Sequence, residues 1–502
     1  MRVRTVVRIT ALCLSLGGPT YAQDAQTIVA TTARAMGADA LKSLTLTGAG
    51  SVGTLGQNLT PTTAWPLVKV ARYTRTIDFD AMAATLEIVR VQNSGETPQT
   101  QTVPAKSPWA QQADLWVSTP FAFLKGAKTY PATLRTEAID EVNYNVVSVS
   151  VDGKFTVEGY ITDKNIVERV RTWVDNDVLG DMPVEAVYRD YKDLDGVKVP
   201  TLTVVRQGGF PTFIAGVTDA KPNATVAIPA PTTAAPAAPV TVTAEKIAAG
   251  VFYLKGGSHH SVLVEFADHL ALIEAPQNEA RSLALLQEIK KLYPRKPLTQ
   301  VINTHHHFDH AGGLRTFVDA GTTIVTHDMN KPFYETAFAT PRTLNPDRLQ
   351  QSKHAAAVTG VKDKLVLSDA MQTLELYALK TPVHDEGMLV AFLPKEKLLV
   401  EVDMYTPPAP DAPAPAANAP VNPNALGLVT GLEKLRLDFD TILPLHGTVK
   451  ATRADLYAFV KKPLVPVSEL PDPNAPTVGP DGRPRGQALP PPDLNNNLNN
   501  NN

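Results

Sequence analysis

Residues 303–313 read N-T-H-H-H-F-D-H-A-G-G, with His305, His306, His307, Asp309 and His310 crowded into six positions. Imidazole and carboxylate together are ligands for zinc, iron or manganese, and the lack of any thiolate beside them argues against a purely structural zinc site. Four adjacent ligands exceed what one open tetrahedral ion can use, so the run predicts two metal ions. Further ligands are available downstream. His384 stands in T-P-V-H-D-E-G, Asp403 ends K-L-L-V-E-V-D, and His446 ends T-I-L-P-L-H-G. Each lies at the boundary of an apolar run, where a strand can hold a side chain toward a shared edge. Two cations at one edge would activate water for attack on an electrophilic centre.

The elements that must position these residues alternate in type. Apolar strand runs (G-V-F-Y-L-K-G, S-V-L-V-E-F-A-D-H, L-A-L-I-E-A-P) precede a helical stretch, N-E-A-R-S-L-A-L-L-Q-E-I-K-K-L-Y, with apolar residues at helical spacing. The strand L-T-Q-V-I-N-T leads into the histidine run, which the reading places on a strand-end loop with a helix starting near Gly312. More strands follow, and the alternation predicts an α/β domain over residues 242–462. All eleven histidines fall between His259 and His446, whereas all four tryptophans (Trp65, Trp109, Trp116, Trp173) come earlier. Residues 24–220 therefore read as a separate α+β domain, one helix followed by antiparallel strands joined at turns such as Asp152-Gly153 and Asp195-Gly196. That outline resembles the lipoprotein-carrier half-barrel. An Ala/Pro-rich linker is expected at 221–241, and a disordered Pro/Asn-rich tail at 463–502.

The amino terminus joins basic M-R-V-R-T-V-V-R to a short apolar run and small residues, the pattern of a signal peptide over residues 1–22. The single cysteine, Cys13, lies within it, so the processed chain would hold no disulfide and no thiolate ligand. Without Arg2, Arg4 and Arg8, 44 basic residues face 50 acidic ones, a net charge of −6. This balance speaks against nucleic acid as a partner. No apolar run is long enough for stable membrane insertion. A small-molecule substrate and a periplasmic or secreted location are the expectations.

Thr304 to Gly313 resembles the His-x-His-x-Asp-His signature of the metallo-β-lactamase-fold hydrolases, and His384, Asp403 and His446 follow in that family's order. The resemblance covers residues 242–462 and implies a four-layer αβ/βα sandwich. It further implies His305, His307 and His384 on a first metal, Asp309, His310 and His446 on a second, and Asp403 bridging both. His306 and Phe308 fill variable positions. Glu274 stands where the family places an aspartate that hydrogen-bonds the ligand loop. The implied cofactor is two Zn2+ ions, with iron or manganese as substitutes, and Asp309 is the implied catalytic residue. Substrate-lining candidates are His259, His260 and Tyr405. The family includes β-lactamases, thioesterases, lactonases and iron oxidoreductases. The subgroup of lactamases with this motif lacks a bridging aspartate, so Asp403 shifts the expectation toward an ester, lactone or thioester, with a β-lactam less favoured. An iron-dependent oxidoreductase and an inactive metal-containing binding protein are the alternatives. A proline-rich insertion after Asp403, T-P-P-A-P-D-A-P-A-P-A-A-N-A-P-V-N-P-N-A, is expected to shape access to the site.

Overall fold

The computed structural model describes residues 24–92, 95–230, 238–380, 383–409, 411–412, 418–447 and 450–471. The leader read at residues 1–22 lies outside them. So do residues 472–502 of the tail, 231–237 of the linker, and 410 and 413–417 of the insertion. The chain divides into two compact units. The first comprises the residues up to Leu55, Ala64–Ala237 and Thr340–Pro346, and the second comprises Gly56–Thr63, Ala238–Ala339 and the residues from Asp347 onward. Each unit thus contains a short segment from the other's stretch of sequence.

In the first unit, helix α1 (Ala25–Ala35) starts where the Asp24 carboxylate accepts the Thr27 N–H at 2.7 Å, a side-chain N-cap. The strands are β1 (Ser43–Gly53), β2 (Leu67–Asp78), β3 (Ala83–Gln92), β4 (Gly95–Val103), β5 (Ala132–Ile139), β6 (Val142–Val151), β7 (Phe155–Ile161), β8 (Val167–Asn176), β9 (Gly180–Leu194), β10 (Val197–Gln207) and β11 (Phe210–Pro222). They form one antiparallel sheet in the order β4-β3-β2-β1-β11-β10-β9-β8-β7-β6-β5. Inward residues recur at period two, as Val170, Thr172 and Val174 do on β8. The expectation of one helix needs correction, because α2 (Trp109–Ser118) and α3 (Pro120–Ala127) also enter this core. The Thr119 hydroxyl caps α3 ahead of Pro120 at its first position, a start signal hidden in an otherwise apolar run.

The second unit contains β12 (Thr243–Ala248), β13 (Val251–Lys255), β14 (Ser261–Glu265), β15 (Leu270–Ile273), β16 (Leu298–Ile302), β17 (Thr323–His327) and β18 (Ala357–Val361) in one seven-stranded sheet, in chain order. A six-stranded sheet follows, β19 (Lys364–Ser368), β20 (Thr373–Ala378), β21 (Leu389–Leu393), β22 (Leu398–Glu401), β23 (Thr441–Pro444) and β24 (Ala451–Thr452). Its helices are α4 (Glu279–Leu292), α5 (Phe308–Ala311), α6 (Leu314–Asp319), α7 (Lys331–Ala339), α8 (Arg348–Ser352), α9 (Pro423–Leu435) and α10 (Arg453–Phe459). Residues of both sheets, together with α9 and α10, form one hydrophobic core. This is the mixed, layered α/β architecture that strand–helix alternation requires. Strands β14, β15, β21 and β22 read as continuous apolar runs because nearly every residue in them is buried.

Two sequence readings shift. The helix expected from Gly312 begins earlier, at Phe308, with the Ala311 N–H bonded to the His307 carbonyl, so Asp309 and His310 lie on a helical turn. Residues 463–471, read as the start of a disordered tail, are held by Arg436, which donates to the Val467 and Pro471 carbonyls at 2.9 and 3.2 Å. Among the described residues, no helix is long and apolar enough to cross a membrane.

Candidate metal centre

Two pairs of parallel strands end where the candidate residues begin. β15 runs into Glu274 and its neighbour β16 into Asn303 and the histidines; β22 runs into Asp403, and β23 leads to His446. Backbone bonds pin the histidine run on both sides. Glu274 N–H donates to the Ile302 carbonyl at 2.8 Å, Asn303 N–H to Val325 at 2.8 Å, and Leu389 N–H to Thr304 at 2.7 Å. Gly312 is needed for close approach, since a Cβ there would stand 1.9 Å from the Gln277 carbonyl oxygen.

Asp403 is the focus. Its Oδ2 lies 3.0 Å from His310 Nε2, 3.2 Å from His384 Nε2 and 3.4 Å from His305 Nε2. The residue is held at φ +60, the left-handed region that non-glycine residues rarely adopt. Ligand atoms of His305, His307, His384 and Asp403 all lie within 4.8 Å of one another, and so do those of a second group, His259, Asp309 and His310. His446 falls in neither group. Its ring centroid is 4.3 Å from that of His259 and 6.3 Å from that of His310.

The hydrogen bonds on the far side of each ring fix which nitrogen faces inward. His307 Nε2 must donate to the Asn58 carbonyl at 3.1 Å, because a carbonyl only accepts, and this leaves Nδ1 toward the centre. His310 Nδ1 meets Glu274 Oε2 at 3.1 Å, and His305 Nδ1 meets Thr304 Oγ1 at 3.1 Å. The inward atoms, His305 Nε2, His307 Nδ1, His310 Nε2 and His384 Nε2, are buried without a well-formed hydrogen bond. Buried unsatisfied nitrogens are costly, and four of them converging with two carboxylates and no thiol fit a divalent cation. His305, His307, His384 and Asp403 could hold one, and Asp309, His310 and Asp403 with His259 or His446 could hold another.

Electrostatics point the same way for His305 and His307, whereas Asp403 and Glu274 raise His310 well above its ordinary value against its burial. Burial pushes the His307 imidazole down to about 2, and burial likewise lowers His305, so both stay neutral and able to bind metal. Burial would raise Asp403, yet the His310 charge and the close approach of the His305, His310 and His384 rings together hold it far below the usual carboxylate range. Asp309 is likewise depressed against its burial by His259 and His310.

The substrate-lining candidates separate. His259 reaches the centre, with Nε2 3.2 Å from Asp309 Oδ2. His260 does not. It turns into the protein, accepts the Gly256 N–H on Nδ1 at 3.2 Å and packs edge-on to Tyr253. Tyr405 is also withdrawn, 2% exposed and against Phe459 at 5.1 Å. Glu274 is fully buried and accepts the Thr304 N–H at 2.6 Å as well as His310. Three residues were not singled out from sequence. Gln57 Nε2 donates to Asp309 Oδ1 at 2.7 Å, Asn58 Oδ1 pairs with His306 Nε2 at 3.0 Å, and Asp385 Oδ2 stands 2.5 Å from His306 Nδ1. His306 thus has buried partners of its own and is more than a spacer. Asp385 was legible as the neighbour of His384; T-L-G-Q-N-L, far upstream, carries no pattern that points here.

Residues 254–400 match the family model of the metallo-beta-lactamase superfamily. No curated protein matches the sequence. Similar solved structures include a metallo-beta-lactamase from Pontibacter korlensis, at 17% identity over 44% of this chain and 98% of that one, TM-score 0.33. Another, from Hirschia baltica, has 17% identity over 45% of this chain and 100% of that one, TM-score 0.33. The FIM-1 metallo-beta-lactamase of Pseudomonas aeruginosa has 15% identity over 44% and 94%, TM-score 0.31.

Proposed function

We infer, from the premise that residues 254–400 belong to the metallo-beta-lactamase superfamily, that this chain is an exported metal-dependent hydrolase. Its substrate is a small molecule with an ester, lactone or thioester bond, a β-lactam being the less favoured case. The observation that carries this reading is the convergence of three imidazole nitrogens within 3.4 Å of one Asp403 oxygen, with a ligand group on either side. We assign His305, His307 and His384 to a first cation, Asp309, His310 and His446 to a second, and Asp403 to both. Two zinc ions, or iron or manganese in their place, would supply there the Lewis acidity that makes water a nucleophile near neutral pH.

The chain's own groups do the rest. Asp309, held below the usual carboxylate range by His259 and His310, would accept a hydrogen bond from the attacking water and orient it. Glu274 fixes the His310 ring, and Asn58 fixes His307. Export rests on the basic and apolar leader at residues 1–22. For the first unit we keep the lipoprotein-carrier-like half-barrel as our reading, supported by its single antiparallel sheet and the helices in its core.

Metal analysis of protein purified without added metal, followed by a panel of chromogenic esters, thioesters, lactones and a cephalosporin, tests the reading. About two zinc per chain, turnover of at least one substrate and its loss on chelation are expected. Asp309→Asn should lower kcat by at least about a hundredfold, as loss of a positioned acid–base group does. Stoichiometric iron would move the reading to an oxidoreductase, and an inert parent across the reconstituted panel would move it to a binding protein.

A further inference from the structure

We propose that His259 is an additional ligand of the second cation, taken together with Asp309 and His310; this rests on the dinuclear reading above. The superfamily signature supplies no such residue, and the geometry supplies it independently. Ligand atoms of His259, Asp309 and His310 fall within 4.8 Å of one another, whereas His446 stands outside that group. His259 Nε2 is the inward atom, 3.2 Å from Asp309 Oδ2, and its ring is 4.8 Å from that of His310. The opposite nitrogen, Nδ1, lies 2.8 Å from Ser258 Oγ. A polar group behind the ring is how ligating imidazoles are oriented, and Glu274 stands behind His310 in the same manner.

His259 is 7% exposed, so it is no solvated loop histidine. Its backbone is tied down as well. It forms an antiparallel bridge with His446, its carbonyl accepts from the buried Arg281 guanidinium at 3.2 Å, and the next N–H, of His260, donates to the Leu445 carbonyl at 2.8 Å. A ring backed by Ser258, carried on main chain anchored from three directions and aimed at a carboxylate, is preorganised to share a cation with it.

Cobalt(II) titration of the full chain, read by paramagnetic NMR of histidine-labelled protein, decides the matter. The parent should take two cobalt equivalents and show a metal-shifted exchangeable N–H for His259. His259→Ala should bind the first equivalent with parental affinity, bind the second at least about tenfold more weakly, and lose that one signal. His259→Asn keeps a donor for Asp309 but offers no imidazole, and should weaken the second site equally. Parental affinity for the second cobalt in His259→Asn would overturn the proposal, as would an unshifted His259 N–H in a parent holding two ions. A parent that binds no cobalt would overturn the dinuclear reading itself, which makes the two failures distinct.

Discussion

Glu274 has both carboxylate oxygens committed, one to the Thr304 N–H and one to His310 Nδ1, and it is held at φ +71 with no exposure. An amide there can accept only one of the two donors. Glu274→Gln should therefore cost about 1–3 kcal/mol in thermal unfolding, the penalty of one buried unpaired group. It should also weaken zinc by about 10–100-fold in a chelator competition, since the His310 ring loses its orientation. Unchanged zinc affinity would refute the orienting role. At this scale the legible residues were those whose chemistry is intrinsic. Imidazoles and carboxylates in one run announce themselves, as do His384, Asp403 and His446 at apolar strand ends. Asn58 and Gln57 are ordinary amides that matter only through where the chain carries them, and no spacing rule reports that. The pair His259-His260 shows the same limit, for the adjacent rings meet different partners, Asp309 and Tyr253, which no spacing reports.

Among elements, strands and long amphipathic helices were readable because burial imposes a period on them. Helices α2 and α3 were not, since residues 109–127 are buried on nearly every side and lose their amphipathic stripe. The segment Gly56–Thr63 is a different kind of element, without strand or helix. Asn58 closes it by donating Nδ2 to the Thr60 and Thr63 carbonyls at 2.6 and 2.9 Å, while its Oδ1 takes His306. Gly56 at φ +74 lets the backbone pass the Phe308 ring, where a Cβ would come within 2.3 Å. Asn58→Ala should lower stability by about 1–3 kcal/mol, read from the melting of zinc-free protein, because the His306 donor and two carbonyls lose their partner together. A change under about 0.5 kcal/mol would show the segment to be incidental.

For the molecule as a whole, all four tryptophans belong to the first unit, so their fluorescence follows that unit alone within the full chain. Glu185 there lies between Arg169 at 2.7 Å and Arg171 at 2.8 Å. Burial would raise its carboxyl, but the two guanidinium groups outweigh this and hold it below its ordinary value. A depressed folded-state carboxyl stabilises above its unfolded value, near 4.5, and that stabilisation fades as pH falls through the lower folded value. Glu185→Gln should thus lower the tryptophan-monitored unfolding free energy by roughly 1–3 kcal/mol at pH 7, with the gap to the parent narrowing below about pH 4. A gap independent of pH would exclude the ionic origin. The composition shift at 221–241 invites the view that the chain is two interchangeable modules on a hinge. Gly56–Thr63 argues otherwise, because residues encoded ahead of that shift hold His306, His307 and Asp309. A gene split or shuffled at the proline-rich stretch would yield a second half with every expected ligand and an unsupported centre.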